Sequence, residues 1–148
     1  SMIVVLLCFF STNLLFTLAC DCRTLSPKEA YCGADWVSHV RIVRKIPFDD
    51  SSEGFTMKKI KYGVNHVKVF KKPKNFTLIR EVISNLDSAS CGLELQLNKD
   101  YLLAGRLYNN ILTVGSCGQI NNEGYYEVVT QWRNVSAKLR VQLKNMKC

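Results

Sequence analysis

The sequence predicts a small, mainly β domain, either a sandwich or a barrel, stapled by disulfide bonds. Short segments that alternate apolar and polar residues are separated by turn-forming residues at roughly eight- to twelve-residue intervals, a pattern typical of such folds. Six of the seven cysteines follow residue 19, and an even number in an exported chain predicts three disulfides. A chain of 148 residues without an internal repeat or linker predicts one domain with a modest core.

Residues 1–19 predict a secretory signal peptide. They contain no Lys, Arg, Asp or Glu, and the small residues Thr17 and Ala19 precede Cys20 at the spacing of a signal-peptidase site. One alternative is a membrane anchor, because about 20 apolar residues can span a bilayer, and the other is a bacterial lipoprotein signal, because Ala-Cys resembles a lipidation box. Polar residues at 11–13 interrupt the apolar run, and Thr17 stands where a lipoprotein box has Leu. We expect cleavage after Ala19, secretion to the extracellular space and no membrane insertion of the mature domain.

The first half of the mature chain predicts two strands. Residues 36–46 alternate apolar with polar side chains, as in a strand with one buried face. An acidic, turn-rich loop over residues 47–54 separates this strand from a second alternating segment at residues 55–71, and another turn follows at 72–75. The core candidates on the second strand are Val64, Val67, Val69 and Phe70.

Shorter elements follow in the second half. Further strands are predicted at residues 76–83, 93–97, 101–108 and 111–117. Asn109 and Asn110 predict a tight hairpin turn between the last two strands. From Glu127 to Lys144 apolar residues recur near helical spacing, which predicts a helix that begins at Glu127.

The charge balance indicates an anionic partner or a well-solvated basic surface. The chain has 20 Lys and Arg against 12 Asp and Glu, a net charge of +8. The candidate patch for a sulfated glycosaminoglycan consists of Lys58, Lys59, Lys61, Lys71 and Lys72. A solvated strand face explains the same lysines, and export with disulfides argues against nucleic acid.

Several other classes of site lack their motifs. There is no HExxH, GxSxG or phosphate-binding loop, so we expect no enzyme activity. There is no CxxC pair, and His39 and His66 have no ligand-like sequence neighbours, so a zinc site and a cofactor of the chain's own are not expected. Two sequons predict glycosylation at Asn75 and Asn134.

The cysteine order is the most specific feature of the sequence. Its members are Cys20, Cys22, Cys32, Cys91, Cys117 and Cys148. The segments YCGADWVSHVRIV, KYGVNHVKVFK and SCGLELQLNKDYLLAGRLYNNILTVGSC accompany this framework. Together they resemble the N-terminal domain of the tissue inhibitors of metalloproteinases, and more broadly the netrin-like domain, over residues 20–148.

The resemblance implies a fold and a mechanism. The fold is a five-stranded OB-type barrel with flanking helices and the disulfides Cys20–Cys91, Cys22–Cys117 and Cys32–Cys148. The mechanism is inhibition of a zinc metalloproteinase, whose catalytic zinc would be chelated by the α-amino group and carbonyl oxygen of a cleaved Cys20. The implied inhibitory edge consists of Cys20, Asp21, Cys22, Arg23, Ala89, Ser90 and Cys91.

Asp21 departs from the resembled family, in which this residue is usually a small Thr or Ser that enters the S1′ pocket of the protease. An unpaired carboxylate in a largely apolar pocket costs several kcal/mol of desolvation. Two alternatives to inhibition therefore stay open. One is a non-inhibitory module that binds a receptor or an immune factor, and the other is a structural protein tethered to matrix or glycan.

Overall fold

The computed structural model describes residues 20–148, so the predicted signal peptide lies outside the described residues. Within that range the strands are β1 (Trp36–Asp50), β2 (Met57–Lys71), β3 (Glu81–Asn85), β4 (Asp100–Tyr108), β5 (Ile111–Thr113) and β6 (Thr130–Gln131). The helices are α1 (Pro27–Gly33) and α2 (Ala137–Asn145), and 3₁₀ turns cover Ser88–Ser90 and Trp132–Asn134. No helix of this part of the chain is long and apolar enough to cross a membrane.

Strands β1 to β5 close into a ring. β1 pairs antiparallel with β2, β2 pairs antiparallel with β3, and β3 pairs parallel with β5. β5 pairs antiparallel with β4, and β4 returns to pair antiparallel with β1. The short β6 adds to β4 beside its pairing with β1. The ring confirms the mainly β fold with a five-stranded barrel.

β1 is longer than predicted and takes in the start of the predicted acidic loop. Residues 47–50 pair with residues 57–60 of β2, so the loop is confined to residues 51–56. Pairing of β1 with β4 ends at Arg41, which leaves one edge of the second half of β1 open. Pro47 is tolerated there because a residue without an N–H group can stand where the strand has no partner on that side.

Two hydrophobic clusters lie on opposite sides of the barrel strands. The cluster inside the barrel includes Trp36, Ile42 and Tyr62, and the cluster between the barrel and the helices includes Val37, Leu139 and Leu143. β4 contributes to both clusters, because alternate side chains of a strand point to opposite faces. Tyr101 and Leu103 therefore enter the barrel while Leu102 and Ala104 face the helices, which explains the continuous apolar run in YLLAG.

Only part of the predicted core on β2 is buried. Val64 is inside the barrel with Ile60 and Tyr62, whereas Val67 and Val69 are 56% and 39% exposed. The register of the β1–β2 pair leaves Val67 and Phe70 as extra residues on β2, with no residue of β1 directly opposite them, so the regular alternation of buried and exposed side chains ends after Val64. The core assignment of Val67 and Val69 is therefore wrong. Phe70 is half-buried and packs against the cluster beneath the helices.

Three predicted strands are shorter or absent, and one of them, predicted at residues 111–117, is confined to Ile111–Thr113. Residues 76–80 have no ladder partner, and β3 begins at Glu81. Residues 93–97 are not a strand, although Leu93 and Leu95 are buried. Their backbone is held by the Tyr62 hydroxyl, which donates to the Leu93 carbonyl at 2.7 Å and accepts from the Leu95 amide at 3.0 Å. The alternation reflects burial against the barrel rather than strand pairing.

The helix predicted from Glu127 begins ten residues later, at Ala137. The Ser136 side chain caps α2 by accepting from the Leu139 amide at 3.1 Å. The upstream residues pair as β6 and then form the 3₁₀ turn at residues 132–134. Val129 packs against the cluster inside the barrel, and Val135 belongs to the cluster between the barrel and the helices. Packing on the barrel, rather than a helix, therefore explains why apolar residues recur here near helical spacing.

Helix α1 was missed by the periodicity argument because it is only seven residues long. Its N-terminal signal is nevertheless present in the sequence. The Ser26 hydroxyl accepts from the Glu29 amide at 3.1 Å, and Pro27 occupies the first helical position. Ser26 and Glu29 have the spacing of a capping box, which could have identified the start of this helix.

Candidate functional site

The segment from Cys20 to Ser26 has no regular secondary structure and is fastened by two disulfides. Cys20 is bonded to Cys91 and Cys22 to Cys117, with Cα–Cα separations of 5.1 and 5.2 Å. These pairs, together with Cys32–Cys148, are the ones that the resemblance implies. Because two cross-links lie within three consecutive residues, the position of Cys20 is set by two separate loops of the barrel.

The loop that carries Cys91 is built from its own backbone hydrogen bonds. The Asp87 carbonyl accepts from the amides of Ser90 and Gly92 at 3.2 and 2.9 Å, and the Asn85 side-chain amide donates to the Ser90 carbonyl at 2.9 Å. A Cβ at Gly92 would overlap the carbonyl oxygens of Asn85 and Asp87. The loop therefore presents Ala89 and Ser90 beside the Cys20–Cys91 bond in one defined conformation.

The loop that carries Cys117 is fixed by a buried glutamine that sequence reasoning did not identify. The Gln119 side-chain amide donates to the carbonyls of Ala104 and Gly115 at 2.9 and 2.8 Å, and its oxygen accepts from the Ala104 amide at 3.0 Å. The Ser116 amide donates to the Cys91 carbonyl at 2.9 Å. These bonds join the two disulfide-bearing loops to each other and to β4. The structure thus places Cys20 next to Cys91 at the end of the loop that carries Ala89 and Ser90.

Charges at this edge are exposed and weakly paired. The Asp21 carboxylate is exposed and forms no ion pair within residues 20–148. Arg23, whose side chain is 81% exposed, lies 3.6 Å from Glu29. An exposed pair of this kind holds its partners only weakly. Asp21 and Arg23 are therefore available to a partner protein.

The sulfur atoms of Cys20, Cys22 and Cys117 lie within 4.8 Å of one another. All three atoms are in disulfides, and a disulfide sulfur is not the thiolate that binds zinc. None of these three sulfur atoms is therefore a candidate metal ligand while the disulfides are intact.

The five lysines of the predicted glycan patch do not form one free surface. Lys58, Lys59 and Lys61 lie near the start of β2, whereas Lys71 and Lys72 lie at and just beyond its other end. Two of them form ion pairs, Lys59 with Asp50 and Lys61 with Glu81. Two others donate to backbone carbonyls, Lys71 to those of Tyr31, Cys32 and Ala34 and Lys72 to that of Phe76. Glycan binding through these residues stays a prediction.

Lys59 and Lys71 show how far these lysines are engaged within the fold. The Lys59 ammonium lies 2.7 Å from Asp50, and the resulting hydrogen bond holds the pKa of that carboxyl well below its usual range. The Lys71 ammonium lies 2.7 to 3.2 Å from three carbonyl oxygens at the C-terminal end of α1. A cation at this end of a helix satisfies carbonyls that have no partner within the helix.

The two histidines have structural partners. His39 lies 2.7 Å from Asp100 and stacks on Trp132 with ring centroids 4.1 Å apart. His66 lies 2.8 Å from both the Ser38 hydroxyl and the Ile79 carbonyl, and burial lowers its pKa. Neither histidine belongs to a cluster of metal-ligating residues in the described chain.

Asn75 and Asn134, the two sequon asparagines, are both exposed. Asn75 has a positive φ of 57° in the turn after β2, and Asn134 ends the 3₁₀ turn before α2. Exposure is compatible with attachment of a glycan. Glycosylation of either residue stays a prediction.

Comparison with known proteins places this geometry in a family. Residues 18–147 match the family described as "Tissue inhibitor of metalloproteinase". The chain is 38% identical, over 96% of both chains, to the "Putative metalloproteinase inhibitor tag-225" of Caenorhabditis elegans. It is 29% identical to "Metalloproteinase inhibitor 3" of Gallus gallus over 78% of this chain and 53% of the relative.

A similar match joins the chain to "Metalloproteinase inhibitor 2" of Oryctolagus cuniculus, at 33% identity over 62% of this chain and 48% of the relative. The matched regions thus span about half of the chicken and rabbit relatives and nearly all of the nematode one. The family match, the closed five-stranded ring and the three disulfides agree with one another. The chain belongs to the tissue inhibitor of metalloproteinase family.

Proposed function

We propose that the mature domain is a secreted inhibitor of a zinc metalloproteinase and that Cys20 chelates the catalytic zinc. Cleavage before Cys20 would create a free α-amino group beside the carbonyl oxygen of the same residue. The observation that supports the proposal is that two disulfides, Cys20–Cys91 and Cys22–Cys117, hold the N-terminal segment on the barrel. A bidentate ligand that is already held in place loses little conformational entropy on binding.

The chemistry requires only the first residue of the mature chain. A neutral amine and a carbonyl oxygen occupy the open positions of the catalytic zinc and displace the water that would attack a substrate. The amine must be unprotonated to bind, and its reference pKa of about 7.7 to 8.0 permits this near physiological pH. The zinc belongs to the protease, and the proposal assigns the chain no cofactor and no catalytic residue of its own.

The neighbouring loop supplies the remaining contacts of the proposed edge. Ala89 and Ser90 lie directly before the half-cystine that is bonded to Cys20, so a cleft that admits Cys20 also meets this loop. The hydrogen bonds of the Asp87 carbonyl keep the loop from rearranging on contact. A rigid edge of two adjacent segments suits the narrow active-site cleft of a protease better than a flexible tail does.

The test compares two forms of the domain against a panel of zinc metalloproteinases. One form begins at Cys20, and the other carries a single Ala before Cys20, which converts the amine into an amide. We expect the first form to inhibit at least one protease and the extended form to lose that inhibition by several orders of magnitude. Equal inhibition by both forms would overturn the chelation mechanism. If neither form inhibits any protease, the inhibitor proposal fails and the two alternatives, a non-inhibitory binding module and a tethered structural protein, take its place.

A further inference from the structure

A groove of about 270 Å³ adjoins the proposed inhibitory edge on the side of Cys117. One wall is the N-terminal segment, including Cys20, Cys22 and Arg23, and the other wall includes Tyr126 and Val128. These two side chains are 75% and 62% exposed, so they place apolar surface directly beside the N-terminal segment. Nothing in the chelation mechanism accounts for them.

The loop that carries Tyr126 and Val128 is held by two asparagines rather than by a core of its own. The Asn121 side chain donates to the Glu127 carbonyl at 3.0 Å and accepts from the Thr130 hydroxyl at 2.8 Å. The Asn122 side chain donates to the Asn134 carbonyl at 2.7 Å. The backbone of the loop is thus fixed while its apolar side chains project into solvent.

Rigid, exposed aromatic side chains are typical of protein-binding surfaces. A tyrosine has two side-chain torsions to immobilise, so its large area is buried at a low entropic cost. The apolar part of the groove is bordered by the charged residues Arg23 and Glu127. An apolar centre with a polar rim is the arrangement found where a partner buries a few dominant side chains.

We propose that Tyr126 and Val128 form a second contact surface for the protease, which binds an apolar segment on the rim of its active-site cleft. The inference rests on the proposed function, because Cys20 lines the same groove as these residues. A protease whose zinc reaches Cys20 brings the wall of its cleft against this groove. The surface then distinguishes proteases by the polarity of that rim, independently of the side chain at Asp21.

Inhibition constants for a double variant and a matched control, both beginning at Cys20, test this surface. Tyr126→Ala with Val128→Ser removes the proposed surface. Tyr108→Ala with Val141→Ser removes side chains that are similarly exposed, at 72% and 59%, on β4 and α2. We expect the first variant to weaken inhibition by about tenfold or more and the control to change it by less than about twofold.

The outcomes separate this inference from the chelation mechanism. If the unmodified domain inhibits and both double variants inhibit equally well, the second contact surface is wrong while chelation stands. If the unmodified domain inhibits no protease in the panel, both proposals fail together. Thermal unfolding of each variant verifies that a loss of inhibition is not due to misfolding.

A footprint of the unmodified complex tests the same surface without substitutions. Hydroxyl-radical oxidation of Tyr126 should fall by several fold when the protease is bound, whereas oxidation of Tyr108 should not change. Full oxidation of Tyr126 in an inhibited complex would overturn the inference whatever the variants show.

Discussion

Under the proposed mechanism, the charge of Asp21 decides how widely the domain can inhibit proteases. Within residues 20–148 the Asp21 carboxylate forms no ion pair that could neutralise it inside a protease pocket. An apolar S1′ pocket would therefore receive an unpaired charge, and the cost appears directly in the inhibition constant. A protease with a basic S1′ pocket would instead gain a charged partner, so we propose that Asp21 sets the selectivity among proteases.

We predict that Asp21→Thr strengthens inhibition of proteases with an apolar S1′ pocket by about tenfold or more, because the desolvation of a carboxylate is removed. Asp21→Asn is the matched control, since it removes the charge and keeps the shape of the side chain. Asp21→Asn should show a substantial part of the stronger inhibition expected for Asp21→Thr. Inhibition constants that are the same for Asp, Asn and Thr at this position would show that the side chain does not enter the pocket.

His66 gives a prediction for the pH dependence of stability. Burial lowers its pKa, and nearby Arg80 lowers it further, so between the ordinary value near 6.5 and the lowered value His66 binds fewer protons in the folded protein than in the unfolded chain. The stability that depends on a neutral His66 is thus present above about pH 6.5 and is lost as the pH falls toward the lowered value.

The measurement is the free energy of unfolding as a function of pH for the unmodified domain and His66→Gln. The unmodified domain should lose more stability than the variant between about pH 7.5 and pH 5. Parallel curves for the two proteins would show that the histidine does not titrate differently in the folded and unfolded states.

At the scale of elements, the contact loop before Cys91 depends on Gly92. A Cβ there would overlap backbone oxygens, which cannot swing aside as a side chain can. We predict that Gly92→Ala lowers the free energy of unfolding by about 1 to 3 kcal/mol and also weakens inhibition, because the displaced loop carries Ala89 and Ser90. Chemical denaturation and an inhibition assay on the same preparations measure the two effects.

Gly33→Ala is the control, because a Cβ at Gly33 would meet no atom within 4 Å. It should leave both stability and inhibition nearly unchanged. An unchanged inhibition constant in a destabilised Gly92→Ala protein would show that the loop makes no contact with the protease.

Local signals in the sequence predict the elements that depend on nearby residues. The Asn109–Asn110 turn is confirmed, with φ of 48° and 62°, because its chemistry is contained in two adjacent residues. The helix predicted from Glu127 is wrong over its first ten residues, because apolar residues that pack on the barrel mimic helical spacing. Gln119 gave no signal, since its role depends on β4 and on the loop at Gly115, which only the fold brings together.

At the scale of the whole molecule, the three disulfides serve two separate purposes. Cys20–Cys91 and Cys22–Cys117 position the proposed edge, whereas Cys32–Cys148 joins α1 to the far end of the chain across 116 residues of sequence. The pairings follow from the family resemblance rather than from spacing, because six cysteines can pair in many ways. The closure of β1 against β4 is likewise a long-range feature that no local pattern reveals.

We predict that replacing Cys32 and Cys148 with Ala lowers the free energy of unfolding by about 4 kcal/mol, since a long loop is released in the unfolded chain. The inhibition constant should stay within about twofold at a temperature where the variant is folded. Denaturation and inhibition measured together check both parts. A large loss of inhibition in the folded variant would mean that the third disulfide also shapes the edge.

The proposed mechanism requires that the first residue of the mature domain binds the zinc of its target. Replacing the zinc of an inhibited protease with Co²⁺ makes the coordination visible in the absorption spectrum. The form that begins at Cys20 should change the cobalt spectrum on binding, and the form with one Ala before Cys20 should leave it unchanged at the same concentration. An inhibited cobalt protease whose spectrum matches that of the free enzyme would contradict chelation by Cys20.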